Sequence, residues 1–208
     1  MNILTRTTIR IVLPLCCFGL LPAIATFAQP NSSRQVCETD GDYEPAAETM
    51  REVELPEVGV VVSIPENYRA MKMQSGAVQI LHPDDFEWIQ CLVGGGTGAH
   101  GYYSETIDTV QPESDRSLEE QASWTVGYSY DEDGDREPGA TEVISHEENG
   151  FNGYIATSMT GYSVVFLGTM PGSDNLLRVS AGCDCEVEAE AVTDLLSRIQ
   201  PLTEDEPM

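Results

Sequence analysis

The densest run of oxygen ligands in the chain is Asp131-Glu132-Asp133-Gly134-Asp135-Arg136-Glu137. Counted from Asp131, the positions of an EF-hand loop place ligands at Asp131, Asp133, Asp135 and Glu142, a carboxylate set suited to a hard cation such as calcium. Arg136 stands where that loop needs glycine for its sharp turn, and Pro138 occupies the usual apolar position. The competing reading is a solvated acidic loop, with Arg136 neutralising its neighbours. No cofactor is otherwise expected, so weak calcium binding at 131–142 is the single exception that the spacing allows.

A second candidate is the stretch Gly94-Gly95-Gly96-Thr97-Gly98-Ala99-His100-Gly101. It holds a literal G-x-G-x-x-G at Gly96, Gly98 and Gly101, the spacing that lets a pyrophosphate approach backbone amides at a helix N-terminus. The residues that follow, Tyr102 to Ile107, read as strand instead of helix, and no lysine or arginine is near. The expected role is a loop whose His100, Tyr102 and Tyr103 line an interaction surface. Three histidines occur, His82, His100 and His146, and none forms an H-E-x-x-H or H-x-H pattern. His82-Pro83-Asp84-Asp85 sets an imidazole beside two carboxylates, which reads either as an acid/base site or as a strand-end turn. There is no G-x-S-x-G elbow, and no catalytic residue is expected.

The cysteines take their meaning from the N-terminus. Arg6 and Arg10 precede an apolar run from Ile11 to Leu21, and small residues at Ala23-Ile24-Ala25 and Thr26-Phe27-Ala28 follow. This order predicts a secretory signal peptide over 1–28, cut after Ala28. An uncleaved anchor is the rival, opposed by Pro14, Pro22 and the usable cleavage sites. Leu15 before Cys16 argues against lipidation. Export to a periplasm, lumen or extracellular space makes disulfides the expected state of Cys37, Cys91, Cys183 and Cys185. Cys183 and Cys185 flank one residue, too tight for an ordinary bridge, so Cys37 and Cys91 are each expected to pair with one of them, in either order. A zinc site at Cys183-Asp184-Cys185 lacks a second Cys/His pair.

Removal of 1–28 leaves eight basic residues against 35 acids, a net charge of −27. Such a charge repels nucleic acid and anionic lipid and favours cations or a protein or membrane complex with a basic surface. Lys72 is the sole lysine, and an acid-rich, lysine-poor surface also suits a salty medium, where dense charge is screened.

The elements that must position these residues follow from periodicity. Residues 29–52 read as an acidic tail, 53–202 as a single domain, and 203–208 as a second acidic tail. Strands are expected at Gly59–Ile64, Val78–Leu81, Trp88–Val93 and Tyr102–Val110. Ser117-Leu118-Glu119-Glu120 is a capping box that opens a helix with Leu118, Ala122 and Val126 on one face. Four strands follow, Thr141–Glu147, Tyr154–Thr160, Ser163–Thr169 and Leu176–Ala181. The turn residues between them predict an antiparallel meander. A last helix, about Glu186 to Ile199, carries Val192, Leu195, Leu196 and Ile199 as its stripe. The fold class is α+β: one antiparallel sheet with flanking helices.

The strand ending in Ile64-Pro65-Glu66-Asn67-Tyr68, the meander containing Asn152-Gly153-Tyr154, and Leu176-Leu177-Arg178-Val179 with the helix end Leu196-Ser197-Arg198-Ile199 resemble PsbP-like proteins. These are extrinsic photosystem subunits and their relatives. The resemblance covers most of 53–202 and rests on element order. It implies an α/β/α sandwich and a lumenal accessory or assembly role without catalysis. The Cys-x-Cys, the glycine stretch and the scarcity of lysine depart from that pattern. Together these readings predict an exported, non-catalytic accessory or binding protein. The alternatives are a calcium-binding protein acting through 131–142, and a hydrolase or thiol-redox protein acting through His82, His100 or the cysteines.

Overall fold

Val60, Val62 and Ile64 are fully buried while Val61 and Ser63 between them are half-exposed. This is the period-two burial of a strand with one face on a core. In the computed structural model, which describes residues 35–37, 44–98 and 102–202, that strand is β2 (Val60–Pro65). It pairs antiparallel with β1 (Met50–Leu55) on one side and with β12 (Ile199–Pro201) on the other. The expected leader at 1–28, the acidic cluster at 38–43, His100 and the tail at 203–208 lie outside the described residues.

The main sheet has seven antiparallel strands in the order β3 (Arg69–Lys72), β4 (Val78–Leu81), β5 (Ser104–Val110), β11 (Leu176–Gly182), β10 (Ser163–Thr169), β9 (Phe151–Ser158) and β8 (Ala140–Glu148). The β8–β9–β10–β11 run is the meander expected from the turn residues. Its first corner is tight: Asn149 and Gly150 take φ of 51° and 84°. A two-residue turn with positive φ at both positions matches strand twist, and Asn-Gly is the pair that adopts it at least cost. Strand β9 therefore begins at Phe151, directly after the turn.

One face of this sheet meets the three-stranded sheet and α3 (Ala189–Ser197). The shared core holds Val62 and Ile64 of β2, Ile107, Ile155, Phe166 and Val179 of the main sheet, and Val192, Leu195 and Leu196 of the helix. The opposite face is covered by α2 (Leu118–Thr125), whose Ala122 packs with Ala156, Leu167 and Leu176. Ser117 caps α2 as its spacing predicts. Its hydroxyl accepts from the Glu120 amide at 3.2 Å, and the Glu120 carboxylate accepts from the Ser117 amide at 2.8 Å. A short hairpin, β6 (Tyr128–Tyr130) with β7 (Arg136–Pro138), links α2 to β8. Over the described residues the fold is thus α+β, antiparallel sheets with three helices.

Two expectations about elements are overturned. The segment expected as a third strand at Trp88–Val93 belongs to a helix, α1 (Pro83–Val93). His82 is its N-cap, with Nδ1 accepting from the Asp84 amide at 3.3 Å, and proline occupies the first turn with Asp84 and Asp85. Each of these favours a helix start, since proline loses no hydrogen bond there and carboxylates suit the positive end. The alternation of Ile89, Cys91 and Val93 does not sort inside from outside, because Val93 is 84% exposed. At its other end the chain leaves α3 earlier than the apolar stripe suggests. Arg198 is the C-cap, and Ile199 turns into β12 opposite Val62.

Candidate functional site

The strand register gathers most of the candidate residues at one end of the main sheet. Ser104 of β5 lies opposite Gly182 of β11, which lies opposite Ser163 of β10, while Ala140 of β8 lies opposite Ser158 of β9. Tyr102-Tyr103, Cys183-Asp184-Cys185, the β9–β10 turn and the β6–β7 hairpin all open from this end. The Met159 amide donates to the Gly139 carbonyl at 2.8 Å and fixes the hairpin beside the β9–β10 turn.

The cysteines pair differently from the expectation. The bridges are Cys37–Cys91, 54 residues apart with Cα atoms at 5.8 Å, and Cys183–Cys185, two residues apart with Cα atoms at 5.2 Å. A parallel bridge between Val36 and Thr97 lays Cys37 beside the end of α1. The Cys37 amide donates to Thr97 O and the Thr97 amide to Gln35 O, both at 2.8 Å. Cys37 is thereby spent, and the Cys-x-Cys pair closes on itself. Chain entropy assigns about 4 kcal/mol to the longer loop and less than about 2 kcal/mol to the shorter one. Both disulfides point to an oxidising, non-cytoplasmic compartment. Among the described residues no helix is long and apolar enough to cross a membrane.

The same geometry accounts for two of the three motif glycines, Gly96 and Gly98, without a nucleotide; Gly101 lies outside the described residues. A Cβ on Gly96 would run into the sulphurs of both Cys37 and Cys91, the latter at 2.7 Å, and one on Gly98 would press on the Trp88 indole at 3.0 Å. The glycines make room for the bridge and the tryptophan. Of the expected interaction loop, Tyr102 packs on Trp88 with ring centroids 5.9 Å apart. Tyr103, 36% exposed, has its phenol pushed above the usual range by burial and by the negative charge of Glu105.

Glu105 is the charged group the sequence reading missed. It shares the core face of β5 with Ile107 and is only 7% exposed. Burial pushes its carboxyl up, against the pull of Arg198, whose Nη2 donates to Oε1 at 3.0 Å. Arg198 also donates to Asp194 O at 3.2 Å and Ser63 O at 3.4 Å, so one guanidinium ties β5, β2 and the end of α3 together. Tyr68 is likewise shifted upward by burial and then by Glu105. An acid in phase with Ile107, on the buried face of its strand, was the available signal. With its acid already bound to a guanidinium, this cluster serves as a clamp.

Among the described residues the histidines His82 and His146 make structural contacts. His82 Nε2 contacts the Glu44 carbonyl oxygen at 2.5 Å, which requires it to donate, and Nδ1 lies 3.2 Å from Asp84 Oδ2 at the helix cap. Both ring nitrogens are engaged in holding the chain. His146 lies on β8, edge-on to Phe166 at 6.2 Å.

The acidic loop forms the tip of the β6–β7 hairpin. Asp131 Oδ1 accepts from the amides of Asp133 and Asp135 at 3.0 and 2.8 Å, so this carboxylate organises the turn. Glu142 lies in β8, opposite Thr157. Among the described residues no group of three or more His, Cys, Asp or Glu is arranged to hold a metal ion. On the hairpin stem Tyr128 and Tyr130 are 48% and 60% exposed, with rings 5.5 Å apart and perpendicular. The Arg136 guanidinium sits 4.3 Å over the Tyr128 ring.

No protein-family model matches this chain, and no curated protein matches its sequence.

Proposed function

We propose that this is an exported accessory or binding protein without a catalytic centre, working on a PsbP-like α/β/α sheet. The end of the sheet that carries the hairpin and the β9–β10 turn is its interaction surface. The observation that carries the reading is the exposed pair Tyr128 and Tyr130, whose rings meet edge to face with the Arg136 guanidinium over the Tyr128 ring. Tyrosine and arginine are enriched at binding interfaces because they present large amphipathic area at low entropic cost. The acids Asp131, Glu132, Asp133, Asp135 and Glu137 on the hairpin, with Glu186 beside Gly161 of the β9–β10 turn, complement a basic partner surface. Export rests on the charged, apolar and small-residue order of 1–28 together with the disulfides.

Affinity capture from native membrane and soluble fractions, at low and at high salt, tests this. The expected result is a partner retained at low salt, released at high salt, and lost in the Tyr128→Ser/Tyr130→Ser variant. Capture that ignores both salt and the two tyrosines defeats the reading. N-terminal sequencing of the exported protein should return Gln29 as the first residue.

A further inference from the structure

The two disulfides do different work, and the difference assigns a chemistry to one of them. Cys37–Cys91 is a staple: Cys37 is buried, the bridge joins segments 54 residues apart, and Gly96 is fitted against it. Cys183–Cys185 joins nothing that the chain does not already hold together. Its flanks are secured independently, by the Cys183 amide donating to Tyr162 O at 3.1 Å and the Val187 amide to Gly161 O at 2.8 Å, with Val187 buried in the core. Opening this bridge therefore leaves strand β11 and helix α3 anchored on either side.

We propose that Cys183–Cys185 is a thiol-exchange site that accepts two electrons from a reduced cysteine pair of another exported protein. This goes beyond the binding role and does not depend on the tyrosine surface. The two sulphurs are unequal. Cys185 is exposed, whereas Cys183 is half-buried against the core and its Sγ accepts the Cys185 amide at 3.1 Å. A substrate thiolate attacks Cys185 Sγ, the bond to Cys183 breaks, and the Cys183 thiolate leaves toward that amide and takes up a proton. The second substrate thiolate then attacks the substrate sulphur of the mixed disulfide and releases Cys185, which is protonated in turn. The substrate dithiol ends as a disulfide and the Cys-x-Cys pair as two thiols, one equivalent per chain. Exchange of this kind is governed by access to the attacked sulphur and by the ease with which the other leaves, and both favour attack at Cys185. Met159 and Tyr162, 48% and 54% exposed on the neighbouring turn, offer an apolar shoulder for the incoming segment. Asp184, Glu186 and Glu188 select a substrate with basic residues beside its cysteines.

The test uses the oxidised full-length exported protein and a reduced Cys-x-x-Cys peptide flanked either by arginines or by glutamates. Free thiols are alkylated after an acid quench and mapped. The expected result is alkylation of Cys183 and Cys185, mole for mole with oxidised peptide, while Cys37–Cys91 stays closed. Opening of Cys183–Cys185 should be at least about tenfold faster than that of Cys37–Cys91, and faster with the arginine peptide than with the glutamate one. Brief exposure to glutathione, a monothiol, should leave its adduct on Cys185. The Cys183→Ala/Cys185→Ala variant should keep its near-ultraviolet circular dichroism and lose peptide oxidation. The proposal is overturned if both bridges open together, if Cys37–Cys91 opens first, if the adduct maps to Cys183, or if the folded double variant still oxidises the peptide.

Discussion

Arg198, the C-cap of α3, donates a 3.0 Å hydrogen bond from Nη2 to Oε1 of Glu105, a buried residue of β5 lying 93 positions earlier. The pair links the main sheet to the helix that covers it and to β2 through Ser63. Removing one member of a buried pair leaves the other charge uncompensated, so Arg198→Met should lower unfolding free energy by about 3 kcal/mol in urea titration. A loss below about 1 kcal/mol would show that the clamp is dispensable.

The same pair gives a pH dependence. Burial, the largest influence, raises the Glu105 carboxyl above its unfolded value. The folded state therefore holds this proton more tightly than the unfolded one. Its contribution to stability is fully present below the unfolded carboxylate pKa and is lost as pH rises through the higher folded value. Stability of the wild type relative to Glu105→Gln should consequently increase on acidification through that window. A difference curve that is flat, or that slopes the other way, would refute the assignment.

Asn149 performs two tasks at once. Its positive φ makes the β8–β9 turn, and its Nδ2 donates to the carbonyls of Leu196, Ser197 and Ile199 at 3.1, 3.1 and 2.8 Å. Asn149→Gly keeps the turn and loses the cap of α3, whereas Asn149→Ala loses both. The expected order of thermal midpoints is wild type, then glycine, then alanine, with alanine about 2 kcal/mol below wild type. Asn149→Asp, which sets a negative charge against the helix C-terminus, should also fall below glycine.

Gly96 decides between the two meanings of the glycine stretch. If it is small because the Cys37–Cys91 bridge needs the space, Gly96→Ala should cost about 1–3 kcal/mol by overpacking. It should also slow oxidative closure of that bridge, read by alkylation during refolding. A nucleotide loop would tolerate the change in the absence of ligand and show neither effect.

Ser117→Ala removes the hydroxyl that accepts the Glu120 amide, and should cost about 1 kcal/mol in thermal unfolding. Ser117→Asp, which restores an acceptor at the same position, should recover most of that loss.

The sequence by itself determined whatever is encoded locally. The Ser117 capping box, the Asn149-Gly150 corner and the β-branched strand at Gly59–Ile64 each depend on residues within a few positions, and each stands in the fold where the local residues placed it. At Trp88–Val93 the same local information misled, since apolar residues there satisfy both periods and only the His82-Pro83 start decides for helix. Tertiary structure alone decided the disulfide partners, because spacing along the chain says nothing about which segment Cys37 is laid beside until Val36 bridges Thr97. It alone joined Glu105 to Arg198, an electrostatic relation with no sequence period. And it alone brought the hairpin tyrosines, the β9–β10 turn and the Cys-x-Cys pair to one end of the sheet, since their proximity comes from antiparallel register, which relates residues by pairing across strands and not by number.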